Sequence, residues 1–113
     1  MTDYPEKTCS ADRLVRNKKS VKASLAGHKT QQRRDGIYAY PGETFILDEQ
    51  EFVVTDLTRE SLAEMDDVKA QAEGYPDLSS YRDLIIKMHP GMKWDESRFV
   101  WVHHYSRVNL ESF

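Results

Sequence analysis

Apolar positions fall in short clusters between polar breaks, and their period alternates between that of a strand and that of a helix. Residues 1–11 are polar and without period, which predicts a loose arm. Leu14 and Val15 read as a short first strand. Asn17-Lys18-Lys19-Ser20 offers N-cap chemistry for a helix with Val21 and Leu25 on one face, and Gly27 supplies its left-handed stop. That helix would expose Lys18, Lys19 and Lys22. Beyond Gly27 the chain should run extended through Lys29–Arg34. Three β-branched and aromatic runs then describe a meander: Ile37–Tyr40, Glu43–Leu47 and Phe52–Leu57, with turns at Pro41-Gly42 and Asp48–Glu51.

Helical period returns near Asp66, with Val68 and Ala72 on one face and Gly74 as the stop. The best-marked helix follows. Asp77 to Ser80 can cap it, and Tyr81, Leu84, Ile85 and Met88 fall at i, i+3, i+4 and i+7, a stripe expected in the core. Pro90-Gly91 ends it. In the final strand, Phe99–Tyr105, residues Phe99, Trp101, His103 and Tyr105 face one way and Val100, Val102 and His104 the other. Both faces are rather apolar, so this strand is expected inside a closed or nearly closed sheet. The residues alone describe an α+β domain.

At 113 residues the chain supports one domain with a modest core. No apolar run approaches the roughly 20 residues that span a bilayer, so no membrane association is expected. Residues 1–7 lack the apolar stretch of a signal peptide, and Cys9 is the only cysteine. Both point to a reducing, cytoplasmic home. The net charge of −3 is unevenly spread: residues 1–34 carry nine Lys/Arg against three Asp/Glu, and residues 35–113 carry seven against sixteen. A basic segment in an acidic protein can guide an anion to one face, whereas a duplex-DNA binder is usually basic throughout. Duplex DNA is therefore not an expected partner.

One constellation carries chemistry. Lys29 and Arg34 enter a strand after a glycine stop, and Glu73 ends a helix some forty residues later. A Lys within reach of a Glu is held in one rotamer, and a nearby Arg offers a planar fork to a carbonyl, phosphate or carboxylate. Tyr75, Tyr38 or Tyr40 could stack on a base. The plainer reading of Lys29 and Glu73 is an ion pair that joins a strand to a helix.

The chain resembles the ASCH domain family, a branch of the PUA-like β-barrels associated with RNA and modified nucleosides. The resemblance rests on Gly27, Lys29, Thr30 and Arg34, on Glu73-Gly74-Tyr75, on the Tyr40–Glu43 turn and on the closing strand Phe99–Tyr105. It implies a PUA-like five- or six-stranded β-barrel with two or three flanking helices over residues 12–107, between the arm and a C-terminal tail at 108–113. It also implies a cleft holding Lys29, Arg34 and Glu73, with Thr30, Gln32 and Tyr75 at its rim and Arg33 contacting ligand. The function implied first is recognition of single-stranded RNA or a modified nucleoside, without a cofactor, by a protein favoured to be a monomer. A second is amide hydrolysis of an N4-acetylcytidine-like nucleoside, as in the family's small bacterial amidohydrolases, with Lys29 and Glu73 catalytic. In that branch the proposed nucleophile is a Thr three residues after the Lys, where this chain has Gln32. Thr30 is the remaining hydroxyl, yet neighbouring strand residues face opposite sides. A third reading is a protein-binding module.

Four histidines invite a metal site. His103 and His104 are adjacent on a strand and point apart, and His28 and His89 sit beside Gly or Pro turns, so no metal is expected. Trp94 and Trp101 read as packing residues. Glu64, Asp66 and Asp67 read as the acidic start of a helix.

Overall fold

The computed structural model describes residues 4–108. The expected arm is thus seen from residue 4, and of the expected tail all but Val108 lies outside the described residues. The architecture is α+β. Four strands, β1 (Gln31–Arg34), β2 (Thr44–Leu47), β3 (Gln50–Ser61) and β4 (Phe99–Arg107), form an antiparallel sheet in the order β1-β4-β3-β2, curled into a half-barrel. Helices α1 (Lys18–Leu25), α2 (Asp67–Ala72) and α3 (Leu78–Met88) flank it. Four strands among the described residues replace the five or six expected for the barrel.

Local chemistry accounts for the helix limits. Asn17 accepts from the Lys19 and Ser20 N–H groups, Asp66 from Lys69 and Asp77 from Ser80. The helices α1 and α2 end alike. Gly27 and Gly74 take positive φ, with the His28 N–H returning to Ala23 O and the Tyr75 N–H to Ala70 O. This paired termination satisfies carbonyls at each helix end and turns the chain sharply. The residue on either side of such a turn, Lys29 after one and Glu73 before the other, is what the site uses.

The strand β4 is central, as its two apolar faces require. Val102 and His103, on opposite faces, are both fully buried. One core cluster, with Leu14, Val15, Phe45, Phe52 and Tyr105, packs with Val21 and Leu25 of α1. The other, with Leu62, Met65, Ala70, Tyr81 and Val100, packs with Leu78 and Ile85 of α3. A bulge at Thr55 bends β3, whose pairing with β4 shifts between Val54 and Asp56.

Two expected strands are absent, and backbone partners explain why. Leu14 and Val15 are buried but follow a 3₁₀ turn at Ala11–Arg13, and the Leu14 carbonyl accepts from the Arg34 guanidinium instead of a ladder. Ile37–Tyr40 is irregular. Its backbone groups are satisfied piecemeal: Ile37 O by the Thr8 N–H, the Tyr38 N–H by the His103 ring and the Tyr40 N–H by the Glu43 carboxylate.

His103 thereby has a defined tautomer. The Tyr38 N–H can only donate, so Nε2 (3.0 Å) accepts, and the proton on Nδ1 is left to bond Gln32 O at 3.1 Å. Burial disfavours the charged ring and lowers its pKa from 6.5 to about 4. The unfolded chain takes up this proton near pH 6.5 and the folded chain only near 4, so the stabilisation is complete above about 6.5 and is lost as pH falls. Between pH 7 and pH 5 the His103 contribution should fall by about 2 kcal/mol. Urea unfolding at both pH values should show that loss in the wild type and a smaller one, by that amount, in His103→Gln. Equal losses would mean that His103 is not the titrating group.

Candidate functional site

The strand β1 is an edge strand, and the polar residues of the chain converge beside it. Lys29, in the residues leading into β1, is 2% exposed and donates three hydrogen bonds: to Gln31 O (2.7 Å), Glu73 O (2.9 Å) and Glu73 Oε1 (3.0 Å). It therefore caps the C-terminal end of α2, covers a carbonyl of β1 and pairs a carboxylate at once. The other Glu73 oxygen accepts from Arg33 Nη1 at 3.0 Å. Arg33 Nη2 continues to Glu60 (3.2 Å), and Lys69 meets Glu60 at 3.3 Å. The result is an alternating chain Lys29–Glu73–Arg33–Glu60–Lys69 whose first three members are almost fully buried.

Gly74 contributes by its positive φ; space is not the constraint, since a Cβ there would sit 3.5 Å from the Cβ atoms of Lys29 and Ala23, an ordinary contact. The Thr30 N–H adds a bond to Ala72 O at 2.8 Å, so the end of α2 and the start of β1 are tied by backbone and side chain together. Burial pushes the Lys29 ammonium below its ordinary pKa, and the Glu73 carboxylate opposes that shift. All three ammonium hydrogens have acceptors, so Lys29 is held as a cation with no lone pair to offer.

Two adjoining cavities, of about 390 and 110 Å³, open beside this network and share Arg33, Arg34, Tyr81, Ile85 and His89. The smaller includes Lys29, Gln32, Glu73 and Tyr75, and the larger Tyr38, Trp94 and Arg98. Together their walls carry five cations, Arg16, Lys29, Arg33, Arg34 and Arg98, against two carboxylates, Asp35 and Glu73. Arg33 Nε is buried without a hydrogen-bond acceptor. Burial, then the Glu73 charge, raises the phenol pKa values of Tyr75 and Tyr81.

The structure thus brings Lys29, Gln32, Arg33, Arg34, Glu73 and Tyr75 to one cleft, and leaves Thr30 outside it. The Thr30 side chain is exposed and lines neither cavity. Arg34 holds Leu14 O through Nε (3.2 Å) and Nη2 (2.6 Å) and lies 5.1 Å from the Tyr38 ring centre. Arg33, expected to contact ligand, is also the second buried partner of Glu73. The stripe on α3 is only partly core: Tyr81 is buried, but Ile85 and Met88 line the cleft and Met88 is half exposed. Glu60, Tyr81, His89 and Arg98 are additions that sequence reasoning missed. His89 one step beyond Met88 was a visible signal, since it ends an apolar stripe with a polar group. Glu60 had none. Among the described residues no group of three or more His, Cys, Asp or Glu could hold a metal ion, and no helix is long and apolar enough to cross a membrane.

Solved structures share this fold. An ASCH domain from Lactobacillus crispatus superposes with a TM-score of 0.67, covering 90% of this chain and 77% of its own, at 10% sequence identity. The fold is that of an ASCH domain. A DUF984 protein from Enterococcus faecalis gives a TM-score of 0.55 over 78% of this chain and 66% of its own, at 14% identity. At these identities the likeness is one of fold, and neither a family model nor a curated protein matches the chain. In this ASCH-like fold the cleft lies beside the free edge of β1, where side chains from both faces of the strand can reach it.

The network makes an asymmetric prediction. Glu73→Gln leaves Lys29 and Arg33 buried without their shared carboxylate, whereas Lys29→Met leaves Glu73 still paired with Arg33. Urea unfolding should show Glu73→Gln destabilised by about 3–5 kcal/mol, and Lys29→Met by less. The reverse order would place the stabilisation elsewhere.

Proposed function

We propose that the cleft beside β1 recognises a nucleoside-like group, either a base of single-stranded RNA or a modified nucleoside. The observation that carries this reading is the cleft's charge and shape chemistry: five cations and two carboxylates in a protein of net charge −3, with aromatic walls and planar hydrogen-bonding groups. Gln32 offers a donor and an acceptor to a base edge. Arg33 Nε, buried and without an acceptor, is a donor that a ligand oxygen or ring nitrogen would satisfy. Tyr38, already beside the Arg34 guanidinium, provides a ring on which a base can stack.

Hydrolysis of an acylated nucleoside is less well supported. Lys29 spends all three hydrogens on fixed acceptors, Gln32 has no nucleophilic oxygen and the Thr30 hydroxyl lies outside the cavity walls. A hydrolytic route would rest on Glu73 activating water, yet both its carboxylate oxygens are engaged by cations. One experiment separates the readings. Isotope-labelled protein is titrated with N4-acetylcytidine while amide signals and free acetate are followed together. The expected result is shifts at residues 31–34 and 73–75 with no acetate. Gln32→Ala should weaken binding by about fivefold with an unchanged unfolding midpoint. Acetate formation would favour the amidohydrolase, and silence with this nucleoside and with single-stranded RNA would end the nucleic-acid reading.

A further inference from the structure

One face of the sheet is covered at one end and open at the other. At the covered end Tyr105 and His103 lie under the first core cluster and the 37–40 segment. At the open end the pairing register sets Arg34 of β1, Trp101 of β4 and Arg59 of β3 side by side, an Arg–Trp–Arg row across three strands. The Arg59 guanidinium lies 4.7 Å from the Phe99 ring centre and 5.9 Å from that of Trp101. Phe99 is 52% exposed. The Tyr4 ring meets Trp101 edge-on at 6.4 Å and stacks on Tyr40 at 5.9 Å, which extends the aromatic surface.

We propose that this open end, centred on Phe99, Trp101 and Arg59, is a stacking platform for single-stranded nucleic acid. Its chemistry favours that occupant over an apolar protein surface, because the exposed Phe99 ring and the half-buried Trp101 ring both lie beside the Arg59 guanidinium. Rings supply faces for successive bases, and the arginines supply counter-charges for the phosphates between them. Among the described residues Arg59 has no ion-pair partner, so its charge is uncommitted. The platform is also continuous with the cleft: Arg34 belongs to the cross-strand row and, with Tyr38, to the walls of the larger cavity. This deepens the nucleoside reading and rests on it, since a strand would place one nucleotide in the cleft and lead the next round the edge of β1.

The test measures two probes on three proteins. Wild type, the platform variant Phe99→Ala/Arg59→Ala and the cleft variant Gln32→Ala are each titrated with N4-acetylcytidine and with short oligouridylate and oligoadenylate. The platform variant should bind the nucleoside as wild type does and lose about tenfold in affinity for the oligonucleotides, with a shallower salt dependence. The cleft variant should lose affinity for both probes. Oligonucleotide binding unchanged in the platform variant overturns the proposal, whatever the cleft variant does, as does a wild type that binds neither oligonucleotide. A cleft variant that binds normally while the platform variant loses oligonucleotide affinity sinks the cleft reading and leaves the platform standing. Should the double variant fold poorly, Arg59→Ala alone, which removes an exposed side chain, must still weaken oligonucleotide binding.

Discussion

A carboxylate buried between two cations governs this molecule. Glu73 ends a short helix, where its own charge opposes the helix dipole, and it is tolerable there because Lys29 and Arg33 approach it from the adjoining strand. Removing three charged groups from water is costly, and the interaction regains that cost only if each partner keeps its geometry. Such a network resists small displacements. It therefore fixes α2 against β1, and with them the walls of the cleft.

The same rigidity separates structural from chemical roles. Lys29 and Glu73 look like a catalytic pair when only their identities are considered, yet all three Lys29 hydrogens are committed and each Glu73 carboxylate oxygen already accepts from a cation. The groups with capacity to spare surround them: the Gln32 amide, the remaining donor of Arg33, the part of Arg34 not held by Leu14, and the tyrosine rings. A buried ionic centre surrounded by polar and aromatic groups with unused hydrogen-bonding capacity supports the binding reading proposed above.

Much of this was legible in the chain. Gly27 and Gly74 marked both helix ends, Asp77 marked the start of α3, and the apolar character of both faces of Phe99–Tyr105 identified the central strand. What misled were apolar runs whose backbone is satisfied by distant side chains. Leu14 depends on Arg34, and Tyr38 on His103, 65 residues away. No local pattern encodes such partners, so Leu14-Val15 and Ile37–Tyr40 read as strands when they are buried irregular chain. In the site, Lys29, Arg34 and Glu73 were expected to share one cleft, but that Arg33 rather than Arg34 shares the Glu73 carboxylate with Lys29 emerged only once α2 had been placed. Glu60 joined through tertiary structure alone.

The strand order has a temporal side. The segment Phe99–Arg107 is one of the two interior strands of the sheet and, among the described residues, the last strand in sequence, and Gln32 meets His103 across some seventy residues. During synthesis, therefore, β1 waits without its ladder partner until Phe99–Arg107 has emerged, while the β2–β3 hairpin can pair at once. Long-range closure of this kind slows folding and prolongs the life of unpaired edges. A nascent chain stalled before residue 99 would hold a cationic strand with no sheet to join.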